Sequence, residues 1–430
     1  MARKHKKRSM VQKLDSKSTI RSGLITALDV GTTKIACFIA RPLENGAAEV
    51  IGVGHQVSQG IKNGNIVDMV AVEDSIRATV EAAEQMAGEN VRDVVLCLSG
   101  SVPKSKLISF DVAVSGHEIS DLDLKRALDP TWLYSQQDDN RDIIHSLPVT
   151  YSIDGNSGIK DPRGMFGEKL GVNMHIITAS SGALRNITAC VNRCHLDVGA
   201  QVVGSYAAGL SCLVEDEIEM GVICIDMGGG TTDISVFFDG EVVYTDSVPL
   251  GGNHVTNDIA RGLSTPLAYA ERMKTLYGSA IPSASDDQEI IKVPLVGELD
   301  DGENQIPRSM LVGIIRPRIE EIYELVREKL EPTGFEKAGA RRVVLTGGGS
   351  QLTGVRELAT EMMDKQVRLG KPNYVKGLAE SVSGAAFSAP AGIIQFMVNE
   401  RKAMLLASSN NMEIPSGKVA RIKKWLGENI

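Results

Sequence analysis

The sequence predicts an α/β protein of two lobes, one of them carrying a small inserted α+β unit. Three observations lead there. The stretches "ITALDVGTTKIACFIA" and "VICIDMGGGTTDISVFF" share one order of apolar strand, Asp, any residue, Gly, Thr-Thr and strand, which reads as a single plan used twice. Buried strands and helices alternate around both stretches, as layered α/β proteins require. Between 101 and 177 the texture changes to alternating strand-like runs rich in Gly, Asp and Asn, which marks the insertion.

With 430 residues, 43% hydrophobic and 23% charged, the chain can fill two or more packed lobes, and disorder is not its default. The net charge of −8 hides a polarity. Residues 1–17 carry seven Lys and Arg against Asp15, and residues 418–430 carry four against Glu428; removing +6 and +3 leaves the body at −17. An acidic body with basic ends does not suit nucleic acid, although either end suits an anionic surface. The first residues have the charge of a signal peptide without its apolar core, so export is not expected. No apolar run reaches the roughly 18–20 residues of a spanning helix. The six cysteines lie in apolar patterns without a CxxC pair and read as buried thiols, not as a metal site.

The elements then follow in order. A basic arm with Arg3, Lys4, Lys6, Lys7 and Arg8 occupies 1–20, and the first part of the lobe I core occupies 21–100. In that core two strands flank a Gly turn, a third extended segment follows, and a helix through "DMVAVEDSIRATVEAAEQMAG" stops at Gly88 before the buried strand "DVVLCLSG". After the insertion at 101–177, lobe I resumes over 178–211. Lobe II takes 212–252 and 331–380, with a smaller subdomain at 253–330 that holds helical stretches at 253–277 and 309–330. Residues 381–404 return to lobe I, 405–417 form a linker with Pro and Gly, and 418–430 form a last helix.

The two Gly turns suit phosphate. An Asp at a strand end, followed by Gly and hydroxyl residues, presents backbone N–H groups and Thr hydroxyls to phosphate oxygens. Asp29 and Asp226 suit a hydrated Mg²⁺, and Lys34 adds a point charge. A third piece, "RRVVLTGGGSQLTGV", is a buried strand ending in Gly347, Gly348 and Gly349, where bare backbone lets a flat ring lie close. A Walker lysine loop and a Rossmann GxGxxG are both absent.

The series "ALDVGTTK", "CIDMGGGTTDIS", "LTGGGSQLTGV" and "GAAFSAPAGII" resembles the phosphate, adenosine and connecting motifs of the actin, Hsp70 and sugar-kinase superfamily. Within it, residues 20–400 and the tail resemble the FtsA family of bacterial cell-division ATPases. The resemblance implies an actin-like (ribonuclease H-like) two-lobe fold in which the usual small subdomain of lobe I is replaced by an unrelated one. It also implies an ATP site with Mg²⁺. One side is Asp29, Gly31, Thr32, Thr33 and Lys34, the other Asp226, Gly228, Gly229, Gly230, Thr231 and Thr232. Gly251 and Gly252 form its floor, Glu271 and Lys274 reach ribose and adenine, and Gly347 to Ser350 (Gly347, Gly348, Gly349, Ser350) cover the base. From the residues alone, Glu271 and Lys274 also read as a solvated helical pair.

Catalysis needs a group that orients water within about 3 Å of the phosphate. In several members of the superfamily that group is a carboxylate or Gln in the first connecting segment, and the stretch that resembles it here has Gly204, Ser205 and Tyr206, so tight binding with weak or negligible ATPase activity is expected.

On a helix, Val419, Ile422, Leu426 and Ile430 share a face, Trp425 lies at its edge, Arg421 and Lys424 point away, and Lys418 and Lys423 flank the stripe. That is an interfacial helix, or by pattern alone a docked terminal one. FtsA members carry such a membrane-targeting tail. The resemblance further implies self-assembly into filaments, recruitment of later division proteins, and a place at the cytoplasmic face of the inner membrane at the division site. The acidic FtsZ C-terminal tail is then expected on 253–330, where Arg316 and Arg318 suit a carboxylate-bearing peptide unless Glu320 or Glu321 pairs with them. A pilus-assembly relative and a small-molecule kinase of the superfamily are the alternatives.

Overall fold

The computed structural model describes residues 23–43, 47–100, 103–128, 140–297, 303–335 and 341–410. The basic arm expected at 1–20 and the tail residues Val419, Arg421, Ile422, Lys423, Lys424, Trp425 and Leu426 lie outside the described residues.

Lobe I opens with β1 (Ile25–Val30), β2 (Lys34–Pro42) and β3 (Ala48–Val57), then a short hairpin of β4 (Ile61–Lys62) and β5 (Asn65–Ile66), helix α1 (Met69–Ala87) and β6 (Asp93–Leu98). Local chemistry sets the helix ends: the Asp68 carboxylate accepts the amides of Val70 and Ala71 at 3.0 and 3.2 Å, and Gly88 closes the helix at φ 69°. Val72, Ile76, Val80 and Ala83 recur every three or four residues and turn one face to the sheet.

The insertion is β7 (Lys104–Ala113), α2 (Asp121–Ala127), β8 (Arg141–Ile153), β9 (Asn156–Ile159) and β10 (Lys169–Ser180), a sheet ordered β7-β10-β8-β9. It has its own small core around Ile119, Leu170, Val172 and Met174, which explains its separate texture in the sequence. From β10 the chain passes directly into α3 (Ser181–Arg193), then β11 (Asp197–Val203), α4 (Gly204–Cys212) and α5 (Glu215–Met220).

Lobe II contains β12 (Val222–Met227), β13 (Thr232–Phe238), β14 (Glu241–Val248), α6 (Gly252–Gly262), α7 (Leu267–Tyr277), the hairpin β15 (Ile290–Pro294) and β16 (Glu303–Pro307), α8 (Arg308–Leu330), β17 (Arg342–Thr346), α9 (Val355–Met363) and β18 (Gln366–Leu369). The last helix, α10 (Ser388–Asn410), returns to lobe I. The helical stretch expected at 253–277 is two helices, because Ser264 at φ 51° and Pro266 break it. Helical backbone also extends to Asn410, into the stretch read as linker from 405.

The two main sheets repeat one topology. Read from their antiparallel edges, β3-β2-β1-β6-β11 and β14-β13-β12-β17-β18 each add two parallel strands beside an antiparallel three-strand run. In lobe I, Ile25 and Ala27 face the helix α10 while Leu28 and Val30 face α1 and α3, the period-2 pattern of a sheet covered on both sides. Helix α4 joins the lobes: Ala207 packs in the lobe I core and Cys212 in that of lobe II. Its approach to α10 requires glycine, since a β-carbon on Gly392 would lie 1.7 Å from the Ala207 carbonyl oxygen.

Candidate nucleotide site

The β1–β2 and β12–β13 turns are equal in length and hydrogen bonding. Val30 pairs with Ile35 and Met227 with Thr232, leaving turns 31–34 and 228–231. In the first the Gly31 amide donates to the Lys34 carbonyl at 3.0 Å, and in the second Gly228 donates to Thr231 at 2.9 Å. This register corrects the alignment of the two Thr pairs. Thr32 and Thr33 occupy the places of Gly229 and Gly230, while Thr231 occupies that of Lys34. The Thr pair of the second stretch stands two residues further from its Asp, and strand pairing counts residues, not likeness.

The offset makes the turns complementary. A β-carbon on Gly229 would lie 2.3 Å from Cγ2 of Thr33, and one on Gly230 would lie 2.4 Å from Oγ1 of Thr32. The glycines of one lobe therefore make room for the threonines of the other. Between them lies a cavity of about 160 Å³ lined by residues of both turns, with Asp29, Asp226, Asp233, Ser99, Gly347 and Gly348. Thr232 does not line it; its hydroxyl donates to the Leu250 carbonyl at 2.9 Å inside lobe II.

The cavity collects charge that the protein only partly balances. Burial lifts the Asp29 carboxyl above its ordinary value, against the pull of Lys34, and the Ser99 hydroxyl donates to it at 3.3 Å. Asp226 is pushed up to about 8 by burial and then by Asp233 and Asp29. Asp233, raised to about 6 by burial, accepts from the hydroxyls of Thr231, at 3.3 Å, and Ser247. Lys34 is lowered to about 8 by burial. Its ammonium donates to the Ala386 carbonyl and lies 3.3 Å from the centre of the Phe387 ring, so the segment before α10 holds it.

Asp233 and Ser99 were missed in reading the sequence. The Asp after the second Thr pair was visible in "GGGTTD", but only strand register places it opposite Asp226.

Gly347 sits at φ 81°, and a β-carbon there would lie 2.2 Å from Oδ1 of Asp226, so both conformation and space exclude a side chain. The Ser350 hydroxyl turns inward to the Gly347 carbonyl at 2.7 Å. The amides of Gly252 and Asn253, at the start of α6, donate to the carbonyls of Gly228 and Gly229 at 2.9 and 2.8 Å, and Gly251 touches the same carbonyls closely enough to exclude a β-carbon. Glu271 and Lys274 do form the (i, i+3) pair, at 2.7 Å. The lysine also reaches the Gly252 carbonyl at 3.2 Å and Thr256 Oγ1 at 2.9 Å, so the pair is tied to this floor.

Ser205 and Tyr206 do not face the phosphate cavity. Ser205 is buried and donates to the Ile234 carbonyl at 3.3 Å, while Tyr206 packs among His145, Phe237 and Phe396. Away from the cleft, Arg316 pairs with Glu320 at 2.7 Å and Glu361 at 3.5 Å, and Arg318 pairs with Asp258 at 2.5 Å and with Glu321. Both arginines are thus engaged within the chain.

A repeated sheet, two facing turns and a glycine bend beside them define an actin-like, two-lobe ATPase fold. Solved structures agree on that fold: the PilM-PilN type IV pilus biogenesis complex matches with a TM-score of 0.62 at 16% identity, over 87% of this chain and 98% of that one. MreB 5 of Spiroplasma citri bound to AMPPNP matches at 0.52 and 13%, over 90% and 99%. Sequence relatives are more specific. A sequence model of "Cell division protein FtsA" matches residues 223–392, and one of the "SHS2 domain inserted in FTSA" matches 100–178. Cell division protein FtsA of Rhizobium meliloti is 43% identical over 422 residues, covering 95% of each chain, and that of Escherichia coli K12 is 33% identical over 380 residues, covering 87% and 90%. The chain belongs to the FtsA family of cell division proteins.

Proposed function

We propose that the protein binds Mg²⁺ and ATP between the two turns and acts as a filament-forming adaptor, tethering FtsZ filaments to the inner face of the cytoplasmic membrane and helping to recruit later division proteins. The observation that carries the nucleotide reading is the pair of equal, facing turns around a buried and unbalanced set of carboxylates. Thr32 and Thr33 offer hydroxyls and Gly229 and Gly230 bare backbone to phosphate oxygens.

Asp29 and Asp226 fit Mg²⁺ held through water. Among the described residues no group of three His, Cys, Asp or Glu side chains forms an inner cage, and two buried carboxylates raised above their ordinary range favour a nearby cation. Bound Mg²⁺ would offset the charge shared by these carboxylates and the phosphates. Gly347, Gly348, Gly349 and Ser350 form the bend against which the base lies, and Glu271 and Lys274 brace the floor beneath the ribose.

The tail, with Val419, Ile422, Trp425 and Leu426 as its apolar contribution and Arg421, Lys423 and Lys424 as its charge, lies in the headgroup plane. Each basic residue near an anionic surface contributes about 1 kcal/mol, so one tail is marginal and an array along a filament is not. The 253–330 subdomain receives the FtsZ tail near Arg316 and Arg318. Among the described residues no helix is long and apolar enough to cross a membrane.

The test is co-sedimentation with anionic liposomes, with and without ATP, of the intact chain and of one ending at Gly417. The reading requires that only the intact chain pellets, more so with ATP. If both stay soluble in every condition, the tail is no anchor and the adaptor reading fails.

A further inference from the structure

A second cavity of about 160 Å³ lies beside the phosphate cavity, and Ser99 lines both. It sits at the root of the inserted domain, between Ser99 at the end of β6, where the chain leaves lobe I, and Ser180 at the end of β10, where it returns. Its other walls are the first turns of α3, with Ala183, Asn186 and Ile187, and the β4–β5 hairpin, with Gly64 and Asn65.

The tip of that hairpin touches three parts of the molecule. Asn63 and Gly64 have φ of 48° and 73°, a two-residue turn with both φ positive, the type I′ geometry that Asn-Gly favours. The Gly64 amide donates to Oγ1 of Thr32 at 3.0 Å. A β-carbon on Gly230 would lie 2.9 Å from Cα of Asn63. On the other side, a β-carbon on Gly64 would lie 2.5 Å from Cα of Gly100, the residue that opens the insertion, so the two backbones meet with no side chain between them.

We infer that the Asn63-Gly64 tip positions Thr32 for phosphate and couples the phosphate turns to the root of the inserted domain. This rests on the nucleotide reading proposed above. A hydroxyl has one proton and two acceptor lone pairs. With the Gly64 amide on one lone pair, the Thr32 proton is free to point at a phosphate oxygen. Glycine backbone against glycine backbone has no rotamer to absorb a displacement, so a shift of Thr32 reaches Gly100 through the tip.

Hydrogen exchange of the intact chain, free, with Mg-ADP and with Mg-ATP, tests this alongside nucleotide affinity. In the native chain nucleotide slows exchange at 31–34 and 228–231 and also at 63–65, 99–100 and 180–183. Thr32→Val weakens ATP about tenfold, the scale of a lost hydrogen bond to a charged group. At saturating ATP it keeps protection at 228–231 but loses it at the hairpin and root. Thr32→Ser, which restores the hydroxyl, restores both. Gly64→Ala behaves like Thr32→Val if it folds, and the Thr32 pair decides the matter if it does not. The inference is overturned if nucleotide protects both turns but leaves the hairpin and root unchanged, or if Val and Ser at 32 behave alike. Absence of nucleotide protection anywhere in the native chain overturns the nucleotide reading itself, and this inference with it.

Discussion

Asp233 stands opposite Asp226 in the register between β12 and β13, at the place where lobe I sets Ala36 opposite Asp29. Both lobe II carboxyls are raised from their ordinary value of 3.8, to about 6 and about 8, chiefly by burial. A carboxyl whose folded pKa exceeds its unfolded one stabilises most when protonated, below the unfolded value, and that contribution is lost as pH rises through the folded value. Nucleotide-free protein is therefore expected to lose stability as pH rises from about 4 to about 8, and Asp233→Asn to remove on the order of 1 kcal/mol or more of that loss, mainly between about pH 4 and 6. Urea unfolding across that range measures it, and an unchanged slope in the variant would contradict the assignment.

The fit of Thr33 against Gly229 predicts a compensating pair. Gly229→Ala adds a methyl that meets the Thr33 side chain at 2.3 Å and must part the turns. Overpacking of this kind costs about 1–3 kcal/mol, so ATP affinity is expected to fall about tenfold. Adding Thr33→Ser removes Cγ2, the nearest atom, keeps the hydroxyl, and should recover part of the loss. Equal affinities in the single and double variants would mean that the turns do not meet in the nucleotide-bound protein.

With Ser205 bonded to Ile234 and the half-buried Tyr206 packed among His145, Phe237 and Phe396, the first connecting segment offers no side chain to orient water. Phosphate release is expected well below about 1 per second, the lower edge of ordinary enzyme turnover. Asp226→Ala is expected to abolish what remains. Steady-state turnover above that rate would point to a water-orienting group elsewhere in the cleft.

Arg318 is held by Asp258, so a test of FtsZ-tail binding must separate charge from fold. Arg318→Glu is expected to weaken the acidic peptide at least about fivefold, roughly the value of one charge-assisted contact, and to leave ATP affinity unchanged. Asp258→Ala breaks the same ion pair but leaves the guanidinium in place, and it is expected to keep or improve peptide binding. If both variants weaken binding equally, Arg318 supports the subdomain and does not contact the peptide.

Much of this protein is local chemistry, and local chemistry is legible in a sequence. The Asp68 cap and Gly88 stop of α1, the two Gly turns, the bend at Gly347 and the foreign texture of the insertion each depend on residues close together in the chain. Periodicity then shows which faces are buried, and the order of motifs shows that two lobes share a plan.

What residues far apart do to one another was decided only by the tertiary structure. Matching letters paired Thr with Thr, whereas strand register set Thr32 and Thr33 in the places of Gly229 and Gly230 and brought Asp233 to Asp226. Ser99, the Gly64 contact with Gly100, and the hold on Lys34 by Phe387 and by Ala386, 352 residues away, join segments far apart in the chain. The sequence by itself determined the two lobes, their turns and the insertion, because caps, turns and hydrophobic period act over a few residues. Which turn residues face one another, and which charges share a cavity, follow from register and packing between segments, and no local pattern encodes those.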